Sequence, residues 1–124
     1  MKFTFYKYHG TGNDFIIIDN RKLKLKLNTK QIAYLCHRHF GIGADGLMLL
    51  QNKKGFDFEM VYYNSDGNES SFCGNGSRCI VAFAKKLGLI KKSETYAPDI
   101  PSQFLVLKVT LLSELNTFRT SSHL

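Results

Sequence analysis

The run Ser71-Phe72-Cys73-Gly74-Asn75-Gly76-Ser77-Arg78 places a thiol directly before a predicted helix. The first turn of a helix presents unpaired N–H groups and about half a positive charge. This setting lowers the pKa of a cysteine thiol and favours the thiolate. The same N–H groups bind carboxylates. The segment therefore predicts that Cys73 acts as a base beside an acidic group. The alternative is a packed cysteine in a tight turn, because cysteine is among the residues most often buried.

Three polar loops that contain glycine each carry an asparagine, and each follows or links an apolar strand. They are residues 9–14, 64–68 and 73–77, with Asn13, Asn64 and Asn75. Asparagine beside glycine is also ordinary turn chemistry, so one such loop alone indicates nothing. If the three loops converge on one sheet edge, their amides would offer donors and acceptors for the ammonium and carboxylate of an amino acid.

The elements that must position these loops follow from periodicity. Residues 2–8 and 15–19 have the pattern of strands joined as a hairpin. Asn28 or Thr29 can cap a helix, with Gln31 as the capping-box partner of Asn28. This helix would place Ile32, Leu35, Cys36 and His39 on one face and end at Gly41. Strands are predicted over 47–50 and 58–63, and a returning strand over 69–72.

A second helix is predicted from near Asn75 or Gly76. It is apolar nearly all round from Ile80 to Ala84, so it must be enclosed. The fold class predicted is therefore α+β, with a mostly antiparallel sheet wrapped around a central apolar helix. We expect one domain over residues 1–112, with a strand over 104–112, and a divergent, disordered polar tail over 113–124.

Composition narrows the class of protein. The chain has 124 residues, 44% of them hydrophobic, which fits one domain with a real core. There is no apolar run of membrane-spanning length and no apolar core of a signal peptide, so we expect a cytoplasmic protein without membrane association. The net charge of +7 is spread over lysine-rich patches at 22–30 and 85–92, which favours a solvated surface over nucleic-acid binding.

Two other motifs do not lead to a cofactor or metal. Residues 41–46 match G-x-G-x-x-G, but a helix precedes them and a strand follows, which is the reverse of a dinucleotide site. His37 and His39 lack a third ligand nearby in the sequence. The three cysteines have no paired spacing, so neither a disulfide framework nor a zinc site is expected, and Cys36 and Cys79 are predicted to be packed.

Four ordered motifs together resemble the diaminopimelate epimerase family. They are His9–Phe15, Arg38–Gly46, Asn64–Glu69 and Cys73–Cys79, and the resemblance extends from about Lys2 to about Lys92. It implies a cofactor-independent isomerase of lysine and peptidoglycan biosynthesis that converts L,L- to meso-diaminopimelate. Two cysteines on opposite faces of the substrate α-carbon would act, one as thiolate and one as thiol. Cys73 matches the first, and Asn13, Asn64, Gly74 and Asn75 match substrate-binding positions.

The chain departs from the family after Lys92, where the resemblance fades. The family pairs this domain with a second, and no motif here matches the second cysteine; Cys79 lies on the same predicted helix as Cys73. We therefore expect an N-terminal half that is inactive alone, whose exposed apolar surface could drive homodimer formation. A related cofactor-independent racemase or isomerase stays open as an alternative, as does a non-catalytic ligand-binding or interaction module.

Overall fold

The computed structural model describes residues 2–70, 74–90, 106–112 and 117–123. These residues form seven strands in one sheet and two helices, in the order β1 (Lys2–Gly10), β2 (Asn13–Asp19), α1 (Thr29–Cys36), β3 (Gly46–Gln51), β4 (Glu59–Asn64), β5 (Glu69–Ser70), α2 (Gly74–Lys86), β6 (Val106–Leu112) and β7 (Thr117–His123). The strand order across the sheet is β5-β4-β3-β2-β1-β6-β7. One neighbouring pair, β2 and β3, is parallel and the other pairs are antiparallel. The chain is thus an α+β protein with a mixed sheet, which confirms the predicted class.

The predicted hairpin is present as β1 (Lys2–Gly10) and β2 (Asn13–Asp19). Gly10 pairs with Asn13, so the turn has two residues, Thr11 and Gly12. Their φ angles are 52° and 88°. A two-residue turn with both φ angles positive matches the twist of antiparallel strands, and glycine adopts this conformation without strain.

The first helix, α1 (Thr29–Cys36), begins as predicted. Asn28 accepts a hydrogen bond from the Gln31 N–H at 2.8 Å, and the Gln31 side chain accepts from the Asn28 N–H at 2.9 Å. The predicted inclusion of His39 on its buried face is wrong, because the helix ends at Cys36 and His39 lies in the exposed turn that follows. In that turn the N–H groups of residues 42–44 bond to the last helical carbonyls, which closes the helix early.

The strands β3 (Gly46–Gln51), β4 (Glu59–Asn64) and β5 (Glu69–Ser70) complete one half of the sheet. They confirm the strands predicted over 47–50 and 58–63 and the antiparallel return after the turn at 64–68. Residues 71–73 lie outside the described part of the chain, so the rest of the return predicted over 69–72 is not described.

The second helix, α2 (Gly74–Lys86), begins within two residues of its predicted start. The two helices pack on opposite faces of the sheet, because side chains of a strand point alternately to either face. Ile16 and Ile18 of β2 share a buried cluster with α1, whereas Phe15 and Ile17 share another with α2. The described residues thus place α2 against one face. The wrapping of the sheet around α2 stays a prediction.

Beyond β1, the sheet continues with β6 (Val106–Leu112), which falls within the strand predicted over 104–112. Strand β7 (Thr117–His123) pairs with β6. A disordered tail was expected over 113–124, and residues 117–123 of it are instead in a strand; residues 113–116 and 124 lie outside the described part. This segment contains two threonines and a phenylalanine, residue types that favour strands.

Candidate functional site

One end of the sheet brings together the loops in which site residues were predicted. At this end β1 finishes at Gly10, β2 starts at Asn13, β3 starts at Gly46 and β4 finishes at Asn64. Gly46 pairs with Asn64 on one side and with Phe15 of β2 on the other. Asn13 and Asn64 therefore lie at the same edge, although no described hydrogen bond joins their side chains.

The amino end of α2 is held against the β1–β2 turn by two asparagines. The Asn75 amide nitrogen Nδ2 donates to Asn13 Oδ1 at 3.2 Å. Gly10 eases this approach, because a Cβ atom there would lie 3.3 Å from Asn75 Oδ1, slightly closer than ordinary van der Waals contact. The loops at 9–14 and 73–77, separated by about 60 residues in the chain, are thus in direct contact.

Gly74 is the first residue of α2 and is exposed, with open space where a Cβ atom would lie. Together with Asn75 and the buried Gly76 it forms the first turn, in which the backbone N–H groups lack partners within the helix. Cys73, the residue before it, lies outside the described residues.

A cluster of four charged residues lies beside these amides. Asp14 accepts hydrogen bonds from Lys7 Nζ at 2.7 Å and from both Arg38 guanidinium nitrogens, at 3.1 and 2.8 Å. The backbone N–H of Asp45 also donates to Asp14 Oδ1, at 3.1 Å. Lys7 Nζ donates in addition to the Gly43 carbonyl. The cluster therefore ties the loop between α1 and β3 to the first residues of β2.

Partial burial acts to raise the pKa of Asp14, but the hydrogen bonds and charges of Arg38 and Lys7 outweigh it. The pKa of Asp14 consequently lies far below its usual value. The pKa of Arg38 is raised by its hydrogen bonds and its attraction to Asp14. These shifts favour the ionised form of both groups.

Asp45 links this cluster to the asparagines. Its Oδ2 accepts from Asn13 Nδ2 at 2.7 Å and from the Asp14 N–H at 3.2 Å, and its Oδ1 accepts from Arg38 at 2.8 Å. Lys7, Asp14, Arg38 and Asp45 were not among the predicted site residues. Asp14, Arg38 and Asp45 lie inside the family motifs, which was the available signal.

The two described cysteines are both in the core, as predicted. Cys36 is 3% exposed and Cys79 is 0% exposed. Burial raises the pKa of the Cys36 thiol to about 11. Neither side chain is therefore placed to exchange protons with a ligand at the surface.

Three further observations bear on other kinds of site. The G-x-G-x-x-G segment has α1 before it and β3 after it, which confirms the predicted order of elements. Within the described ranges, no three His, Cys, Asp or Glu side chains are grouped as metal ligands would be. No helix in the same ranges has both the length and the apolar character to cross a bilayer.

A cavity of about 460 Å³ lies away from the asparagine loops, beside the start of β1 and the segment after β2. Its charged lining includes Asp19 and Arg21, which form a two-pronged ion pair with both distances 2.8 Å. None of the predicted site residues lines this cavity. We therefore place the candidate site at the end of the sheet where Asn13, Asn64 and Asn75 lie beside the charged cluster.

The fold has a counterpart among solved structures. A phenazine biosynthesis protein of the PhzF family from Bacillus anthracis superposes with a TM-score of 0.55 at 16% sequence identity. The match covers 98% of this chain and 40% of that chain. The structure thus defines an α+β protein of this mixed-sheet class, with polar loops gathered at one end of the sheet.

Sequence comparison identifies the family within this class. A sequence model of diaminopimelate epimerase matches residues 5–110. The diaminopimelate epimerase of Flavobacterium psychrophilum is 65% identical over 92 residues, which are 73% of this chain and 36% of that protein. That of Alkaliphilus metalliredigens is 44% identical over 115 residues, 92% of this chain and 40% of that protein. The chain belongs to the diaminopimelate epimerase family, and it spans about two fifths of the length of these relatives.

Proposed function

We propose that the chain supplies one half of the active site of an epimerase that converts L,L- to meso-diaminopimelate without a cofactor. Cys73 is the acid/base residue, and Asn13, Asn64, Gly74 and Asn75 bind the substrate. The observation that carries the proposal is the 3.2 Å hydrogen bond from Asn75 to Asn13. It sets the start of α2 against the asparagine-bearing turn in a chain of this family.

The proposed reaction removes one proton from the α-carbon on one face and adds another on the opposite face. The Cys73 thiolate takes the α-proton and becomes a thiol, which leaves a carbanion-like centre next to the carboxylate. A thiol on the opposite face then gives its proton to the α-carbon and becomes a thiolate. The N–H groups at the start of α2 stabilise the charge that develops on the carboxylate. Loss of one preorganised donor to a developing oxyanion typically costs about 2.7–4 kcal/mol.

The opposing thiol must come from outside this sequence. Of the three cysteines in the chain, Cys36 and Cys79 are buried in the two cores. The relatives are more than twice as long as the matched region, so they have room for a second domain. We propose that such a domain completes the enclosure of α2, where Val81 and Leu87 are only partly covered by described residues. Homodimer formation and a cytoplasmic location stay predictions.

The test is protection of Cys73 from alkylation. We expect iodoacetamide to modify Cys73 first, since the other two thiols are buried. Saturating L,L-diaminopimelate should slow this modification severalfold, measured by mass spectrometry of the digested protein. The variant Asn75→Ala should lose the protection. The variant Asn52→Ala should keep it, because Asn52 is exposed beyond the far end of β3.

Equal modification of all three cysteines in the folded protein would contradict a reactive Cys73. Binding of diaminopimelate without protection of Cys73 would favour a non-catalytic ligand-binding module, and stronger protection by another amino acid would favour a related racemase. In deuterated water we expect no inversion of the substrate by this chain alone. Deuteration with inversion would refute the division of the cysteine pair between two domains.

A further inference from the structure

Asp45 determines which way a neighbouring amide faces. A carboxylate accepts hydrogen bonds and donates none. Because Asp45 Oδ2 lies 2.7 Å from the Asn13 side chain, Asn13 must turn its nitrogen towards Asp45. The Asn13 oxygen is then directed to the other side of the amide. An asparagine without such a partner has two orientations of nearly equal shape.

The direction of the hydrogen bonds continues from Asn13 to α2. Asn13 Oδ1 can only accept, and the atom that faces it is Asn75 Nδ2, at 3.2 Å. The Asn75 oxygen therefore takes the remaining position, on the side of Gly10. The series Asp45–Asn13–Asn75, called here the amide relay, thus has one direction, and the carboxylate at its start sets it.

The positive charges of Arg38 and Lys7 stabilise the Asp45 carboxylate in its position beside Asn13. Arg38 binds Asp45 Oδ1 and Asp14 Oδ1, both at 2.8 Å, and Lys7 binds Asp14 at 2.7 Å. Two positive charges thus offset two negative ones, which limits repulsion of an acidic ligand nearby. Arg38 also holds Oδ1, which leaves Oδ2 of the same carboxylate to face Asn13.

We propose that Asp45 is a positioning residue for the substrate site. Through Asn13 it fixes the orientation of the Asn75 amide at the start of α2, and so the pattern of donors and acceptors offered to the ligand. This inference rests on the proposed function, because the orientation matters only if Asn13 and Asn75 hold a ligand. Asp45 itself touches no reacting atom in this scheme.

The variant Asp45→Asn tests the relay, since it keeps the shape and replaces one acceptor by a donor. Asp57→Asn is the matched control, because Asp57 is an exposed carboxylate in the loop between β3 and β4. The readout is the set of side-chain NH₂ resonances of Asn13 and Asn75 in ¹H–¹⁵N NMR spectra, recorded during titration with L,L-diaminopimelate. In Asp45→Asn we expect these resonances to shift or split. The Kd should rise about three- to tenfold, the effect of losing one net hydrogen bond. Asp57→Asn should change neither.

The outcomes separate the relay from the proposed function. Unchanged Asn13 and Asn75 resonances in folded Asp45→Asn would overturn the relay. Changed resonances with an unchanged Kd would overturn the positioning role. If the unsubstituted chain does not bind diaminopimelate, the proposed function fails, and the relay is still judged by the resonances alone.

The variant Asp45→Glu provides a second test in case Asp45→Asn does not fold. Loss of folding is a risk because Asp45 also accepts a hydrogen bond from the Asp14 N–H. It keeps the carboxylate and so should retain the amide pattern of the unsubstituted chain and most of its affinity. Reoriented amides despite the retained carboxylate would count against the relay.

Discussion

Replacing Gly67 with alanine should destabilise the fold much more than the same change at Gly55. Both glycines have a positive φ angle, 88° and 86°. A Cβ atom on Gly55 would meet nothing within 4 Å, whereas one on Gly67 would lie 2.0 Å from the Thr29 carbonyl oxygen at the start of α1. The comparison thus separates the cost of the backbone conformation from the cost of the steric clash.

The magnitude follows from these two contributions. A left-handed conformation costs a non-glycine residue about 1–2 kcal/mol, which is the whole effect expected for Gly55→Ala. Ordinary contact begins near 3.4 Å, so the methyl group of Gly67→Ala must move by roughly 1.4 Å away from a backbone atom. Overpacking of this kind adds about 1–3 kcal/mol. We therefore expect a loss of about 2–5 kcal/mol in Gly67→Ala.

Urea unfolding followed by circular dichroism measures both variants. The slope m should stay constant, so that the shift of the midpoint reports stability. The turn at 64–68 also carries Asn64, and so Gly67→Ala should weaken the proposed binding of diaminopimelate in the folded protein as well. A loss equal to that of Gly55→Ala, within about 0.5 kcal/mol, would refute the described packing of this turn on α1.

Two further variants test the ion pairs of Asp14 and the cap of α1. Asp14→Asn should lower the free energy of unfolding by about 2 kcal/mol at neutral pH, since it removes the carboxylate that Lys7 and Arg38 share. Because the pKa of Asp14 is lowered by folding, its contribution is present above the unfolded pKa of about 4 and is lost as the pH falls through the folded value. The difference in free energy of unfolding between Asp14→Asn and the unsubstituted chain should therefore shrink as the pH is lowered. A difference that stays constant would contradict the ion pairs described for Asp14. Asn28→Ala should cost about 1 kcal/mol by removing the cap of α1, and thermal unfolding of Asn52→Ala serves as its control.

Elements that depend on local chemistry were predictable from the sequence. The hairpin of the first two strands and the cap at Asn28 each depend on residues close in the chain, and both are present. The hairpin turn has two residues and is shorter than the loop predicted over 9–14. The start of α2 was predicted within two residues for the same reason. Its glycines and asparagine have conformational preferences that do not depend on distant partners.

Elements that depend on partners outside their own segment were not predictable from the sequence. The parallel pairing of β2 with β3 requires α1 to carry the chain across one face of the sheet, and strand patterns alone do not specify such a crossover. The end of α1 at Cys36 depends on hydrogen bonds from residues 42–44 that return to the last turn. The pairing of β7 with β6 is local in the chain, since Leu112 pairs with Thr117, but the polar composition of residues 113–124 predicted a tail and not a strand.

The candidate site shows the same division. The asparagine of each loop could be selected from the sequence, because polar side chains in a short segment with glycine indicate a turn with exposed backbone. Asp14 and Asp45 could not, since their roles arise from Arg38, Asn13 and Lys7 across the fold rather than from neighbours in the chain. A charged residue in a loop is usually exposed to solvent, and nothing in the neighbouring sequence distinguishes Asp14 and Asp45 from such residues.

Asp14 and Asp45 are expected to act on different properties even though they share Arg38. Asp14 is the more buried, with 19% of its side chain exposed against 43% for Asp45, and its partners close the α1–β3 loop onto β2. Asp45 directs its other oxygen to Asn13 and hence towards α2. Removal of the first carboxylate should therefore appear mainly in the free energy of unfolding, and removal of the second mainly in ligand affinity. If both variants changed the two quantities in the same proportion, the cluster would be a single structural clamp, and the separate positioning role of Asp45 would have no support.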